Sequence, residues 1–170
     1  LLAMQEIKCK PEQFPVEAFE AIGYKIISHG LNQWNGVAFA YKQDLEAEDI
    51  ETSFDQQPEF KDVQEARALG ATFNGVRVWS LYVPNGRGLD DPHMQYKLEF
   101  LDRLAATTAE QLEMDPGLEI ALVGDFNVAP LDTDVYDLSM FETHVSPPER
   151  EAFEAFEQIG LTDKLRELVP

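Results

Sequence analysis

The chain has 170 residues, of which 44% are hydrophobic, 11% aromatic and 26% charged. This length and composition fit one folded domain and exclude a chain that is disordered throughout. No apolar run approaches the ~20 residues of a membrane-spanning helix. The first residues also lack the basic start of a signal peptide, so we expect neither a leader nor a membrane anchor. The single cysteine, Cys9, excludes an internal disulfide and a thiolate zinc site, and it predicts a reducing, cytoplasmic location.

Acidic side chains dominate the charge of the protein. The sequence holds 32 Asp and Glu against 13 Lys and Arg, which gives a formal net charge of −19. A charge of this sign repels a nucleic-acid backbone at long range. We therefore expect nucleic acid to bind only through a local basic patch or a bound cation.

The N-terminal part of the chain predicts strands separated by short helical or polar segments. Residues 1–4 predict a buried strand, and Pro15 is typical of the start of a short helix that ends at Gly23. Residues 24–28 and 36–41 predict the two strands of a β-hairpin. The order of these elements indicates a mixed α and β sandwich.

The middle of the chain predicts an exposed edge followed by a second hairpin. The acidic segment 44–55 contains no Lys or Arg and predicts a solvated edge strand and loop. Residues 68–73 and 76–83 predict paired strands, because the Asn74-Gly75 sequence between them favours a type I′ turn.

The C-terminal part predicts two helices around one strand, and then a last helix. Asp91-Pro92 is typical of a helix start, with His93 on the surface and an apolar core stripe formed by Met94, Leu98, Leu101, Ala105 and Leu112. Residues 118–123 predict a central strand. Residues 146–149 form a capping box that starts a helix ending at Gly160, and the last helix is predicted to stop at Val169-Pro170.

The strongest chemical signal is Gly124-Asp125-Phe126-Asn127, which follows an apolar strand. A carboxylate and an amide two residues apart share one face of an extended chain. Asp125 could hold or deprotonate a water and Asn127 could orient it, a pairing that suits phosphate chemistry. On these residues alone the alternative stays open, namely an Asx-turn in which either side chain only closes the loop.

A second signal is Glu6, placed at the end of the first predicted strand. Mg²⁺ often takes only one or two protein carboxylates, so Glu6 is a candidate Mg²⁺ ligand. The alternative is a salt bridge to Lys8 or Lys10. A third signal is the segment with Tyr82, Asn85 and Arg87, whose side chains all donate hydrogen bonds to phosphate oxygens, although such a segment could also be a simple turn.

Three segments in this order change the interpretation: residues 5–8, residues 82–86 and residues 124–130. Together they resemble exodeoxyribonuclease III-type AP endonucleases of the endonuclease/exonuclease/phosphatase superfamily. The resemblance implies a four-layer α/β sandwich, with two packed mixed sheets flanked by helices. It further implies that residues 1–170 form a single domain that lacks an N-terminal Asn-bearing strand and a C-terminal Asp-His ending.

The resemblance also implies roles for individual residues. Glu6 matches the family's Mg²⁺ ligand, and Mn²⁺ is a possible substitute. Asp125 matches the residue that activates the attacking water, Asn127 the residue that orients it, and Tyr82 the tyrosine near the phosphate. The residues implied in substrate binding are Asn85, Arg87 and Asn35.

The implied activity is Mg²⁺-dependent hydrolysis of DNA phosphodiesters in base excision repair, as an abasic-site endonuclease and a 3′–5′ exonuclease. The implied partner is double-stranded DNA with abasic sites or 3′ ends, bound by a monomer. A positive rim would be formed by Lys8, Lys10, Arg67, Arg87, Lys97 and Arg103. We expect residues 1–170 alone to be inactive. The alternatives are a phosphatase or phosphodiesterase acting on a lipid or small phosphate ester, or a catalytically inactive homologue that serves as a binding module.

Overall fold

The computed structural model describes residues 1–168, which form two β-sheets with helices on their outer faces. The first sheet contains β1 (Leu2–Gln5), β2 (Tyr24–His29) and β3 (Val37–Lys42), with β3 in the middle and both pairings antiparallel. The second sheet contains, in spatial order, β4 (Glu48–Glu51), β5 (Ala68–Phe73), β6 (Val76–Tyr82) and β7 (Glu119–Asp125). Only the β6–β7 pair is parallel, so this sheet is mixed.

Within residues 1–168, four α-helices accompany the sheets: α1 (Val16–Glu20), α2 (Pro92–Met114), α3 (Pro147–Gln158) and α4 (Lys164–Leu168). Short 3₁₀ helices lie at Pro11–Gln13, Asp132–Asp134 and Leu138–Met140. None of the helices in residues 1–168 combines the length and apolar character that crossing a bilayer demands.

The elements stack in four layers, as predicted. Helix α1 contacts β2, and helices α2 and α3 pack on the outer face of the second sheet. The core between the two sheets consists of Val37, Phe39, Tyr41, Leu69, Ala71, Phe73 and Val78. The core under α2 and α3 includes Phe54, Ala68, Trp79, Leu81, Phe100, Leu101, Leu104 and Phe156.

Both hairpins, the edge strand in the acidic segment and the helix after Asp91 are confirmed. The predicted turn has Asn74 at φ 50° and Gly75 at φ 85°, the left-handed values of a type I′ turn. The carboxylate of Asp91 accepts a hydrogen bond from the backbone N–H of His93 at 2.8 Å. The predicted end of the last helix, at residues 169–170, lies outside the described residues.

Three predictions of position or burial are wrong, for β7, for β1 and for His93. Among the described residues β7 is an edge strand rather than a central one. It is apolar because Ile120 packs towards α2 and α3 while Val123 packs towards the first sheet, so both of its faces are covered. Likewise, Leu2 in β1 is half-exposed because β1 is at an edge.

His93 is buried rather than on the surface. Its side chain is only 4% exposed, and its ring lies 4.0 Å from the ring of Phe60 between centroids. The first turn of α2 is thus covered by the segment before β5, which sequence periodicity along α2 alone does not reveal.

Strand alternation directs the polar ends of β6 and β7 towards the first sheet. Val78 packs between the sheets, so Ser80 and Tyr82, at the same parity along β6, lie on that face. On β7, Val123 packs between the sheets, and Asp125 follows at the same parity. Tyr82 and Asp125 are register partners in the parallel β6–β7 pair. Their side chains therefore leave the second sheet side by side.

The close approach of β6 and β7 at this end requires glycine at position 124. Gly124 has φ 135°, and a Cβ built there would lie 2.1 Å from the carbonyl oxygen of Leu81. Gly75 also has positive φ, 85°, but a Cβ there would meet no atom within 4 Å. Substitution at Gly75 would therefore cause backbone strain alone, whereas substitution at Gly124 would cause both strain and a steric clash.

We expect Gly124→Ala to lower the free energy of unfolding by about 2–4 kcal/mol, because strain and a backbone clash add together. The matched control, Gly75→Ala, should cost about 1–2 kcal/mol from strain alone. Urea unfolding followed by circular dichroism measures both. Equal losses in the two variants would contradict the close approach of Gly124 to β6.

Candidate active site

Two hydrogen bonds across the sheet interface fix the end of β1 against β6. The side-chain amide of Gln5 donates to the hydroxyl of Ser80 at 3.0 Å, and that hydroxyl donates to the carbonyl of Met4 at 3.3 Å. Glu6 follows directly and adopts φ 52°, a left-handed conformation that turns the chain out of the strand. The carboxylate of Glu6 therefore emerges beside Tyr82.

The carboxylate of Glu6 is ionised and only partly enclosed. Its Oε2 atom lies 2.5 Å from Nζ of Lys8, so the salt bridge considered from the sequence is present. The hydrogen bond from Lys8 lowers the pKa of Glu6, with smaller contributions from the hydroxyl of Tyr82 and the charge of Arg67, against an opposing effect of burial. The backbone of Lys8 is held in turn, because its N–H donates to the carbonyl of Asn35 at 3.1 Å.

Tyr82 is held from behind by Arg67. The guanidinium carbon of Arg67 lies 4.9 Å from the centroid of the Tyr82 ring, and its Nη1 donates to the carbonyl of Tyr82 at 3.2 Å. The carboxylate of Glu65 accepts from Nε of Arg67 at 2.6 Å. Burial, reinforced by the negative charge of Glu6, raises the pKa of Tyr82, so its phenol stays protonated at neutral pH.

Asp125 and Asn127 form the Asx-turn that the sequence left open, and the turn itself shapes the site. The backbone N–H of Asn127 donates to Oδ1 of Asp125 at 2.9 Å. The side-chain amide of Asn127 donates to Oδ2 of Asp125 at 3.3 Å and to the carbonyl of Val83 at 2.9 Å. Its Oδ1 accepts from the side-chain amide of Asn85 at 3.2 Å. Asn127 thus ties the loop after β7 to the loop after β6.

The loop after β6 exposes Asn85 and Arg87 next to this turn. The Oδ1 atom of Asn85 accepts the backbone N–H of Arg87 at 3.2 Å. One N–H of the Asn85 amide donates to Asn127, and the other donates to no acceptor within residues 1–168. Asn85 therefore presents an oriented donor to solvent at the site.

The structure does not bring the side chain of Asn35 into this exposed group. Asn35 is fully buried, and both polar atoms of its amide have no hydrogen-bond partner within residues 1–168. Its backbone supports the site through Lys8. A substrate contact by Asn35 stays a prediction.

The sequence analysis missed a buried group behind Asn127. Lys97, on α2, donates to the carbonyl of Asn127 and to the carboxylate of Glu149 at the start of α3. The Nδ1 atom of His144 lies 2.7 Å from the same carbonyl. The backbone N–H of Ser146 donates to the carboxylate of Glu149 at 3.2 Å, as in the predicted capping box, and the hydroxyl of Ser146 donates to the same carboxylate at 2.6 Å. The sequence feature that could have indicated this buried group is the position of Lys97 within the apolar stripe of α2.

The charges in this buried group are opposite and mutually satisfied. Burial raises the pKa of Glu149, but the hydrogen bonds from Lys97 and Ser146 outweigh burial and hold that pKa below its usual value. Glu149 is therefore a carboxylate, and Lys97 is its counter-ion inside the protein.

The predicted positive rim is partly wrong. Arg67 is 6% exposed and Lys97 is fully buried, because each is used inside the protein against a glutamate. Arg103 donates to Gln56, on the segment before β5. The exposed cations that remain from the prediction are Lys8, Lys10, Arg87 and Arg103.

The donor set at the site fits a hard cation with few protein ligands. Within residues 1–168, no group of three or more His, Cys, Asp or Glu side chains is close enough to enclose a metal. Mg²⁺ usually keeps several waters and takes one or two carboxylates, whereas structural zinc is held by four protein ligands. The ionised Glu6 carboxylate therefore fits a hard divalent cation, which it would hold with water as most of the other ligands.

Comparison with known proteins gives concordant matches. The sequence model of the endonuclease/exonuclease/phosphatase family matches residues 1–156. Exodeoxyribonuclease III of Haemophilus influenzae is 28% identical over 181 residues, covering 100% of this chain and 66% of that protein. A 3′ phosphatase from Neisseria, solved with a product DNA hairpin, superposes with a TM-score of 0.86 at 33% identity, over 98% of this chain and 63% of that one.

An AP endonuclease from Archaeoglobus fulgidus superposes with a TM-score of 0.85 at 34% identity, over 98% of this chain and 62% of that one. The chain thus spans about two thirds or less of the length of these relatives. The match over residues 1–156 and the four-layer fold agree with the resemblance of the three motifs. The chain belongs to the endonuclease/exonuclease/phosphatase family, in which its matches are proteins of the exodeoxyribonuclease III type.

Proposed function

We propose that this protein hydrolyses phosphate esters of DNA in repair, with a divalent cation, Mg²⁺ in the first instance. The observation that carries the proposal is the meeting of Glu6, from the first sheet, with Tyr82 and Asp125, from the second. Asn127 and Asn85 join Asp125 through direct hydrogen bonds. An ionised carboxylate thus lies beside a protonated phenol, whose register partner is an oriented carboxylate.

Asp125 is the group suited to take a proton from the attacking water. Asn127 donates to both of its carboxylate oxygens, which fixes the rotamer while leaving lone pairs for a water. A base within hydrogen-bond reach of the nucleophile is the geometric requirement for general-base catalysis. Both amide hydrogens of Asn127 are already used within the protein, so we assign it the orientation of Asp125 and Asn85.

Charge develops on the phosphoryl oxygens and on the leaving oxygen during in-line attack. When bound at Glu6, a divalent cation supplies charge neutralisation to those oxygens. The phenol of Tyr82 and the remaining N–H of Asn85 are neutral donors, and each stabilises negative charge on a phosphate oxygen without a proton transfer. The nearby Arg87 adds a positive charge at the edge of the site.

DNA is favoured over a lipid or a small phosphate ester by the proteins that this chain is similar to. The Neisseria relative is described as a 3′ phosphatase with a product DNA hairpin and as a 3′–5′ exonuclease, and the Archaeoglobus relative as an AP endonuclease. We therefore propose duplex DNA with an abasic site, a 3′ end or a 3′ phosphate as substrate.

We expect Asp125→Asn to lower kcat on an abasic-site duplex by at least about 10²-fold, since the base is lost. Glu6→Gln should lower activity similarly and require more Mg²⁺ for half-maximal rate. The control is Asp44→Asn, which removes an exposed carboxylate that follows the end of β3, opposite the end of β3 that pairs with Gln5 beside Glu6. The assay uses purified protein with duplexes carrying an abasic site or a 3′ phosphate, with an inositol phosphate in parallel. Turnover of the inositol phosphate without turnover of either DNA duplex would contradict the DNA proposal.

Tyr82→Phe should reduce kcat by about 10²-fold through loss of one hydrogen-bond donor. Because the pKa of Tyr82 is raised above its ordinary value, the wild-type phenol remains protonated well past neutral pH. The wild-type rate should therefore show no loss from deprotonation of Tyr82 between pH 7 and about 10. An alkaline limb that falls near pH 8 in wild type and is absent in Tyr82→Phe would contradict this assignment.

A further inference from the structure

A charged pair lies in the core behind the site, where stability alone does not require it. Lys97 and Glu149 are both fully buried, on α2 and α3, and they contact each other directly. Replacement of a buried ion pair by apolar residues of similar volume is often neutral or stabilising. The pair is therefore better explained if one of its charges holds another group of the protein in place.

The group that Lys97 holds is the carbonyl of Asn127. Asn127 has φ 52°, a left-handed conformation that asparagine adopts more often than most other residues with a side chain, although it remains a minor region of backbone space. The ammonium of Lys97 donates to its carbonyl, where Nδ1 of His144 also lies 2.7 Å away, and the carboxylate of Glu149 accepts from the same ammonium. A charge-assisted hydrogen bond at this carbonyl opposes relaxation of the backbone to an ordinary conformation.

Asn127 carries this constraint to the reacting groups. Its N–H and its amide hold the carboxylate of Asp125, and its Oδ1 holds the amide of Asn85. We propose that Lys97 and Glu149 are positioning residues, which lock the Asn127 backbone and thereby aim Asp125 and Asn85. This inference rests on the proposed function for its catalytic consequence, but its structural part concerns the free protein.

A merely structural role is the competing explanation, in which the pair only joins α2 to α3. The double variant Lys97→Met with Glu149→Met separates the two, because it removes both charges and keeps the volume of the side chains similar. The matched control is Lys25→Met with Glu46→Met, which removes an ion pair of the same residue types on the surface, where Nζ and Oε1 lie 3.1 Å apart.

The first measurement is hydrogen exchange of the backbone N–H of Asn127 in the folded, DNA-free variants, after circular dichroism has shown retained folding. We expect exchange at Asn127 to be about ten-fold or more faster in the buried double variant and unchanged in the surface control. Unchanged exchange at Asn127 in a folded Lys97→Met, Glu149→Met protein would overturn the proposal.

The second measurement separates binding from catalysis on the abasic-site duplex. Because Lys97 does not reach the substrate, kcat should fall about ten-fold or more while KM stays within about two-fold. A fall confined to KM, or none, would overturn the positioning role. If wild-type protein, expressed together with the flanking segments that the family resemblance implies, lacks activity on DNA, the proposed function fails, whereas the exchange at Asn127 still decides the structural part.

A third measurement covers the case in which the double variant does not fold. In wild-type protein labelled uniformly with ¹⁵N and ¹³C, nuclear magnetic resonance can detect scalar coupling across a hydrogen bond from Nζ of Lys97 to the carbonyl carbon of Asn127. A measurable coupling supports the contact on which the proposal stands. Its absence, with a resolved Lys97 ammonium signal, would overturn that contact.

Discussion

The contact between β1 and β6 is the constraint on which the proposed site depends. Ser80 accepts from the side chain of Gln5 and donates to the carbonyl of Met4, so two polar links cross an otherwise apolar interface between sheets. A slip of one residue in β1 would turn Glu6 away from Tyr82, because successive side chains of a strand point to opposite faces. The register of a single edge strand therefore decides whether the carboxylate from one sheet meets the base from the other.

The negative net charge of the chain is compatible with an anionic substrate when the position of each Lys and Arg side chain is considered. Burial of Arg67 and Lys97 leaves fewer positive charges at the surface, and each buried cation supports a site residue instead, Tyr82 or Asn127. At the site, Lys8 and Arg87 are exposed close to an ionised Glu6. In the proposed function, attraction of phosphate would depend on a divalent cation at Glu6 more than on the overall field of the protein, which is negative.

Most elements of the fold could be predicted from local turn and cap preferences. The features that could not be predicted depend on long-range packing. Asn74-Gly75 predicts its hairpin and Asp91-Pro92 its helix, because turn and cap preferences are set by the residues themselves. The edge position of β7 and the burial of His93 depend on which segments cover them, and periodicity carries no such information. At the site, the three motifs predict the groups, but the role of Lys97 arises from contacts between α2, α3 and the loop after β7.

The central claim is that Glu6 and Asp125 border one divalent-cation site at the junction of the sheets. Titration with paramagnetic Mn²⁺, followed by line broadening of backbone amide signals, tests it most directly. The account predicts broadening centred on residues 6, 82 and 125, removed by Glu6→Gln and displaced by excess Mg²⁺. Broadening centred on the acidic segment 44–55 instead, and unaffected by Glu6→Gln, would contradict it.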